Sequence, residues 1–141
     1  MAVVLIVDDE PLQRDILDTI LSDEGYETFT ASSGGEALRL ARKYQPDVIL
    51  RDLKMDGMDG IELTEAVSKE PSEPSIVIMT AHGTISSAVE AIKKGAFEYL
   101  TKPLEKDSLL LTVKRAVERV ELLRENRQLH RELFDRFRIE G

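Results

Sequence analysis

Several kinds of chemistry are excluded by what the chain lacks. None of its 141 residues is a cysteine, so it has no disulfide framework, no thiolate zinc site and no cysteine nucleophile. No apolar run approaches the length of a membrane-spanning helix, and the apolar stretch after Met1 is too short and lacks the basic flank of a signal peptide. We therefore expect a cytoplasmic protein that makes no contact with membranes.

Positive charge is also scarce. The chain has 19 Lys and Arg residues against 27 Asp and Glu residues, which gives a net charge of −8 at pH 7. Because nucleic acids are polyanions, this balance argues against direct nucleic-acid binding. The chain is long enough for one domain with its own core and a short extension.

Five short apolar runs alternate with segments of helical periodicity. We predict strands at residues 2–7, 26–31, 47–52, 76–80 and 97–100. Strands that alternate with helices in this way form a parallel sheet with helices on both faces. The pattern therefore predicts an α/β fold.

The helices between these strands have recognisable ends. Gly25 and Gly95 are placed to stop the first and fourth helices, and Ser33 with Glu36 has the spacing of a capping box at the start of the second. A third helix is predicted near residues 59–67. In the fourth helix, the apolar stripe at residues 85–92 is predicted to face mainly the core.

The last predicted helix, from about residue 106 to 139, is longer than a typical globular helix. Its first turns carry apolar residues that can cover the sheet. Leu122, Asn126, Leu129 and Leu133 then follow at coiled-coil spacing, and Asn at an a position favours a parallel two-stranded pairing. An exposed helix that trails off the domain is the alternative. We therefore expect a domain at residues 1–120 and a helical linker at residues 121–141, leading to a domain outside this chain.

Residues that can carry chemistry lie where four of the strands end. Asp8 and Asp9 follow the first run, Asp52 ends the third, Thr80 ends the fourth and Lys102 follows the fifth. Sites in open parallel sheets form at the carboxyl ends of the strands, so we expect these side chains to converge. Three neighbouring carboxylates need a cation, and Mg²⁺ suits oxygen ligands. An ionised Asp beside a metal, a lysine and a hydroxyl can take up a phosphoryl group as an aspartyl phosphate.

These positions belong to a wider set of motifs. The set comprises Asp8-Asp9, Asp52 followed by Met55, Gly57 and Met58-Asp59-Gly60, then Met79-Thr80-Ala81 and Leu100-Thr101-Lys102-Pro103. Over residues 2–120 it resembles the receiver domain of two-component response regulators. The resemblance implies a flavodoxin-like (βα)₅ fold, a doubly wound parallel sheet with strand order 2-1-3-4-5, here with an extended C-terminal helix.

The resemblance also implies a metal and an acceptor. Asp52 resembles the phosphoacceptor, and Asp9 with Asp52 resembles the family's Mg²⁺ ligands, with Asp8 acting directly or through water. The backbone carbonyl of Lys54 resembles the third protein ligand. The implied donor is a phosphohistidine on a separate sensor histidine kinase. By this resemblance the domain is a regulatory phosphoacceptor that promotes its own phosphotransfer, and is no enzyme in the usual sense.

Three further residues resemble the parts that respond to phosphorylation. Thr80 resembles the hydroxyl residue that binds a phosphoryl oxygen, Lys102 the lysine that pairs with the phosphoryl group, and Tyr99 the aromatic residue that moves inward with Thr80. The peptide bond from Lys102 to Pro103 is expected to be cis, as is usual in the family. The implied output is a homodimer through the face of the fourth and fifth predicted helices, together with the linker helix.

Two stretches narrow the resemblance. Residues 81–89 and 123–129 resemble the receiver and linker of the NtrC-type activators of σ54 RNA polymerase, which continue into an AAA+ ATPase and a DNA-binding domain. This chain contains neither domain and no Gly-x-x-x-x-Gly-Lys motif. The implied function is a phosphorylation-controlled dimer switch for a transcription-activating ATPase that lies outside the chain.

Two residues depart from the usual family pattern. Asp56 stands where proline is usual, and adds negative charge near the metal. Arg51 stands beside the phosphoacceptor, where a neutral residue is commoner. Strand alternation points it away from Asp52, so we predict a packed stem and a solvated head.

Two other functions remain as alternatives. The chain could be a constitutive dimerisation module with a vestigial phosphorylation pocket. A haloacid-dehalogenase-type phosphatase is disfavoured, because it needs a second Asp where Lys54 stands.

Overall fold

The structure is a computed structural model that describes residues 2–53, 66, 73–81 and 85–140. In chain order its elements are β1 Val3–Val7, α1 Pro11–Asp23, β2 Glu27–Ala31, α2 Gly34–Tyr44, β3 Val48–Asp52, β4 Ser75–Thr80, α3 Ile85–Lys93, β5 Glu98–Thr101 and α4 Lys106–Glu140. The fourth and fifth predicted helices are therefore α3 and α4. The third predicted helix falls outside the described residues, except for Ala66, which is helical.

The five strands form one parallel sheet in the order β2-β1-β3-β4-β5. This confirms the predicted fold and strand order. The chain moves from β1 to β2 on one side and then returns to place β3 on the other side of β1. The topological switch point consequently lies between the carboxyl ends of β1 and β3, where open α/β sheets form their sites.

Both faces of the sheet are buried, which explains why the strands are continuous apolar runs. One face of the sheet packs against residues of α2 and α3, including Ala37, Ala41 and Ala91. The other face packs against residues of α1 and α4, including Leu17, Leu21, Leu109, Val113 and Ala116. Within the described ranges, no helix is both long enough and apolar enough to span a bilayer.

The predicted helix ends are largely confirmed. Gly25 and Gly95 have φ angles of 96° and 117°, a region that glycine enters without the Cβ clash of other residues. The Ser33 side chain caps α2 by accepting a hydrogen bond from the Glu36 N–H. The reciprocal bond differs from a standard capping box, because the Glu36 carboxylate accepts from Ser32.

The apolar stripe predicted for the fourth helix is only partly in the core. Val89 and Ile92 are 45% and 42% exposed, whereas Ala91 is fully buried. The small alanine therefore faces the sheet, and the larger branched residues lie on the open side of α3. The prediction that Val89 and Ile92 belong to the core is wrong.

Helix α4 has two parts that differ in environment. Leu109, Val113, Ala116 and Val120 are buried against the sheet, as predicted. Beyond Val120 the helix continues without interruption to Glu140. The seam residues Leu122, Asn126, Leu129 and Leu133 are all exposed. The seam thus lies on a free helical surface of the single chain.

Candidate functional site

The site is built by the carboxyl ends of β1, β3, β4 and β5. Asp8 directly follows β1, Asp52 and Thr80 are the last residues of β3 and β4, and Lys102 directly follows β5. Parallel pairing brings these ends to one edge, with Asp52 opposite Met79 in the register of β3 and β4. The convergence expected from the sequence follows from this register.

Three carboxylates and one ammonium group meet at this edge. Asp8, Asp9 and Asp52 each place a carboxylate oxygen so that all three lie within 4.8 Å of one another. Lys102 Nζ lies 3.0 Å from Asp52 Oδ2 and 3.5 Å from Asp8 Oδ2. Thr80, at the end of β4, is buried, and its carbonyl accepts a 2.8 Å hydrogen bond from the Lys102 N–H. The structure therefore brings all five predicted residues to one edge.

Asp8 is fixed more firmly than its neighbours. It is fully buried, its N–H donates to the Ala31 carbonyl and its Oδ1 accepts from the Glu10 N–H at 2.9 Å. The guanidinium of Arg14 donates to the Asp8 carbonyl at 2.7 Å. The sequence reasoning missed Arg14, although Pro11 marks the start of α1 and so places Arg14 in the first turn of that helix.

The electrostatics of Asp8 and Lys102 differ. Burial raises the pKa of Asp8 and the Asp52 charge adds to the rise, against the opposing effects of the Glu10 N–H and the Lys102 ammonium. For Lys102, burial alone lowers the pKa, but the hydrogen bond and charge of Asp52, with the charge of Asp8, outweigh it and raise the pKa. The lysine is therefore held protonated, while an ionised Asp8 is costly to the folded chain.

The donor set fits a hard divalent cation. Asp8 Oδ2 is buried and, among the described residues, accepts no hydrogen bond; its contact is the 3.5 Å ion pair with Lys102. Asp9 is exposed and Asp52 half-buried, so the cluster opens to solvent on one side. Carboxylate oxygens of this kind are ligands for Mg²⁺. The carbonyl of Lys54, the third expected ligand, lies outside the described residues, as does Asp56.

Arg51 is the clearest departure from the sequence predictions. Its side chain is fully buried, and its Nε donates a 2.8 Å hydrogen bond to the Asp52 carbonyl. Its strand neighbours in register, Val7 and Ile78, belong to the core on the α2 side. The predicted solvated head is wrong, because a central strand covered on both faces offers no route to water. A charged residue inside such a strand requires internal hydrogen bonds.

The remaining predicted residues lie at the periphery. Tyr99 on β5 is 39% exposed and lies opposite Ile78 in the strand register. Its role as a switch stays a prediction. The bond between Lys102 and Pro103 is cis, as expected.

Comparison with known proteins places this geometry in a family. The family described as "Response regulator receiver domain" matches residues 4–114. Regulatory protein AtoC of Escherichia coli K12 is 39% identical over 130 residues, covering 92% of this chain and 28% of AtoC. The chain thus spans less than a third of the length of that relative.

Solved structures agree with this placement. NtrX from Brucella abortus is 39% identical, with a TM-score of 0.84, covering 92% of this chain and 30% of NtrX. A receiver domain protein from Clostridium thermocellum is 34% identical, with a TM-score of 0.83, covering 87% of this chain and 99% of that one. The resemblance inferred from the motifs, including that to the NtrC-type activators, is confirmed.

Proposed function

The chain belongs to the response regulator receiver domain family, and on that premise we propose that Asp52 accepts a phosphoryl group from a sensor histidine kinase, with Mg²⁺ at the acid cluster. The observation that supports this most is the meeting of three carboxylates with Lys102 at the switch point. Three carboxylates this close together repel one another and do not help the chain to fold, whereas together they can bind one cation.

The transfer is a substitution at phosphorus. A carboxylate oxygen of Asp52 forms the new P–O bond, the P–N bond to the donor imidazole breaks, and the imidazole leaves with the electron pair. Mg²⁺ held by Asp8, Asp9 and Asp52 would neutralise their carboxylates and the incoming phosphoryl oxygens. Lys102, already 3.0 Å from Asp52, pairs with a phosphoryl oxygen, and the Thr80 hydroxyl donates to another.

The product differs from the free acid in charge and shape. A carboxylate of about one negative charge becomes an acyl phosphate of about two, with new acceptor oxygens. Thr80 moves toward these oxygens and Tyr99 fills the space it leaves. This shifts a pre-existing equilibrium at the surface of α3, β5 and α4, and so changes the homodimer interface.

The output of that change lies outside this chain. We propose that residues 1–120 act as a receiver and that residues 121–141 form a helical linker to an ATPase domain and a DNA-binding domain. We also propose that the protein acts in the cytoplasm. The histidine kinase and the homodimer are typical of the receiver family, and the two further domains are typical of its NtrC-type members.

Uptake of phosphate by the chain tests the proposal directly. The wild type, with Mg²⁺ and acetyl phosphate as small donor, is expected to gain one phosphoryl group, read as a mass shift of the intact protein. Asp52→Asn is expected to gain none, because the amide cannot form the acyl phosphate. Arg39→Gln, on the exposed face of α2, is the matched control and should behave as the wild type. Equal labelling of the Asp52→Asn variant contradicts the assignment.

A constitutive dimerisation module is the second candidate function. It is favoured by the exposed seam, which lies on α4 beyond the buried part of the helix. Pairing of two chains through this seam would require no change at the acid cluster. Sedimentation equilibrium with Mg²⁺, with and without beryllofluoride as a phosphoryl mimic, separates the two. A dimer in both conditions, in a chain that takes up no phosphate, supports the second candidate.

A further inference from the structure

Helix α4 is attached to the sheet by polar contacts at the edge opposite the acid cluster. Three arginines of α4 contact residues at the amino ends of β3 and β4. We call this set the arginine clamp; it consists of Arg119, Arg124 and Arg127 on the helix, and Asp47, Glu73 and Ser75 at the sheet. The clamp is remote from the site, because the strands run from one edge of the sheet to the other.

Asp47 is the centre of the clamp. It is almost fully buried, its Oδ2 accepts a 2.7 Å hydrogen bond from the Val3 N–H, and its Oδ1 lies 2.5 Å from Arg124 Nη2. Its backbone also pairs on both sides, with Val3 and with Ser75. One carboxylate therefore joins β1, β3 and the linker part of α4 through charge-assisted hydrogen bonds.

Ser75 and Glu73 hold the helix at two further points. Ser75 Oγ donates to the Ala116 carbonyl at 2.8 Å and accepts from Arg119 at 3.1 Å. Arg119 also donates to the Glu73 carbonyl, and the Glu73 carboxylate pairs with Arg127 at 3.2 Å. The contacts of Arg124 and Arg127 lie beyond Val120, the last buried apolar residue among the helix side chains that the structure describes. The clamp thus extends the rigid attachment of α4 into the linker.

Two of the clamp arginines, Arg124 and Arg127, lie on the side of the helix opposite the seam, whereas Arg119 lies about 60° from Leu122 around the helix axis. At 3.6 residues per turn, each residue advances about 100° around the axis. Asn126 and Leu129 then lie within about 40° of Leu122, whereas Arg124 and Arg127 lie about 140° to 160° away from it. The seam is therefore directed away from the chain's own domain.

We propose that the arginine clamp is a positioning device for pairing with a second copy of this chain. It sets the rotational phase of α4 so that two seams meet in parallel, with the two domains on the outer sides of the helix pair. The occupant is a second copy because Asn126 sits among the leucines at a position that favours a two-stranded parallel pair. This inference rests on the dimer of the proposed function and adds its geometry and its means of coupling.

The coupling follows from β4. This strand begins at Ser75 in the clamp and ends at Thr80 in the site. A displacement of β4 that accompanies phosphoryl binding therefore reaches α4 without passing through a loop. The phase of the seam responds to the state of the site through one strand and its arginine contacts.

The absence of cysteine from the chain makes the pairing geometry directly testable. Asn126→Cys is expected to form a disulfide-linked dimer under mild oxidation, because an a position lies next to its own copy across the pair. Gln128→Cys, exposed on another side of the same turn, is the control and is expected to stay unlinked. Linking of Gln128→Cys in preference to Asn126→Cys overturns the proposed phase.

The role of the clamp is tested by the distance between the two domains. A spin label on Arg39→Cys, on the exposed face of α2, is expected to give one narrow distance in the dimer. Arg124→Gln with Arg127→Gln in the same chain is expected to broaden that distribution severalfold, while thermal unfolding stays cooperative. Arg131→Gln, further along the same helix, is the matched control and is expected to leave the distribution narrow.

Each remaining outcome decides the proposal. An unchanged narrow distribution in the double variant, a broad one in the wild type, or a monomeric wild type overturns it. If the double variant does not fold, Arg124→Lys takes its place. Lysine keeps the charge but lacks the planar guanidinium, so this variant is also expected to broaden the distance distribution. Acetyl phosphate uptake by the same proteins separates the two hypotheses. A wild type that takes up no phosphoryl group counts against the proposed function. A wild type that takes it up, together with a double variant whose distance distribution stays narrow, counts against the clamp alone.

Discussion

The two edges of the sheet treat buried charge in opposite ways. At the carboxyl edge, the buried Asp8 Oδ2 has one long contact, with Lys102, among the described residues. At the amino edge, both oxygens of the almost equally buried Asp47 are engaged by the Val3 N–H and Arg124. The carboxyl edge thus has a carboxylate oxygen available for a ligand, whereas at the amino edge both carboxylate oxygens already bind other parts of the chain.

The same sheet thus serves a chemical role at one edge and a mechanical role at the other. Unsatisfied buried charge destabilises the folded state until a cation arrives, so it is confined to the place where binding is useful. Satisfied buried charge fixes geometry, so it is placed where α4 leaves the domain. Substitutions at the two edges should therefore have effects of different sign and different ligand dependence.

The largest effect is expected for Lys102→Met. Removal of the ammonium leaves Asp8 buried without its countercharge, which should lower the free energy of unfolding by about 3 kcal/mol in the absence of metal. The pKa of Lys102 is raised in the folded state, so the lysine's contribution is present at neutral pH and lost as pH rises through that raised value. Denaturant unfolding at neutral and strongly alkaline pH measures this. An equal loss at both pH values contradicts it.

Asp8→Asn should act in the opposite direction. The pKa of Asp8 is raised by burial, so its ionised form opposes folding of the metal-free chain. The variant should be more stable than the wild type near neutral pH, by less than the loss expected for Lys102→Met. The gain should vanish in acid, where Asp8 is protonated in both states, and appear as pH rises through the raised pKa. Mg²⁺ should stabilise the wild type and leave the variant unchanged.

A smaller effect is expected at the amino edge. Asp47→Asn keeps an oxygen that can accept from the Val3 N–H but loses the charge opposite Arg124, so unfolding should become easier by about 1 kcal/mol. Because this edge is remote from the acid cluster, Mg²⁺ should stabilise the variant as much as the wild type. A lost response to Mg²⁺ would contradict this prediction, because it would show that Mg²⁺ binding to the unphosphorylated chain depends on the amino edge.

The smallest effect is expected for Arg127→Gln alone. Both members of its pair with Glu73 are more than a third exposed, so water screens the interaction and its loss should cost less than about 0.5 kcal/mol. Measured beside Asp47→Asn, this variant separates the weak outer contact from the buried centre of the clamp at Asp47. Thermal unfolding in parallel with Arg131→Gln provides the measurement and its control.

Local patterns were sufficient to predict the fold and the convergence of the site. Each strand is a short apolar run, and Asp8, Asp52, Thr80 and Lys102 stand where runs end, so parallel pairing alone brings them together. The prediction failed where burial depends on neighbours from other parts of the chain. Arg51 is buried because a central strand is covered on both faces, and Ile92 is exposed because Ala91 faces the sheet.

The clamp carried no signal that the sequence analysis could use. Asp47 and Arg124 are separated by 77 positions, and each is an ordinary residue for its element. Asp47 was predicted only as the first residue of a strand. Long-range ion pairs of this kind depend on where α4 passes the sheet edge, which follows from the packing of its buried residues rather than from spacing.

The uninterrupted course of α4 makes it a lever arm. The stretch from Arg127, the last residue of the clamp, to Glu140 is about 20 Å long at a rise of about 1.5 Å per residue. A tilt of the anchored part by about 5° therefore moves the far end by about 2 Å relative to the clamp, without bending a straight helix. A shift at the sheet too small to alter the core is thus enlarged at the far end to more than the length of a carbon–carbon bond.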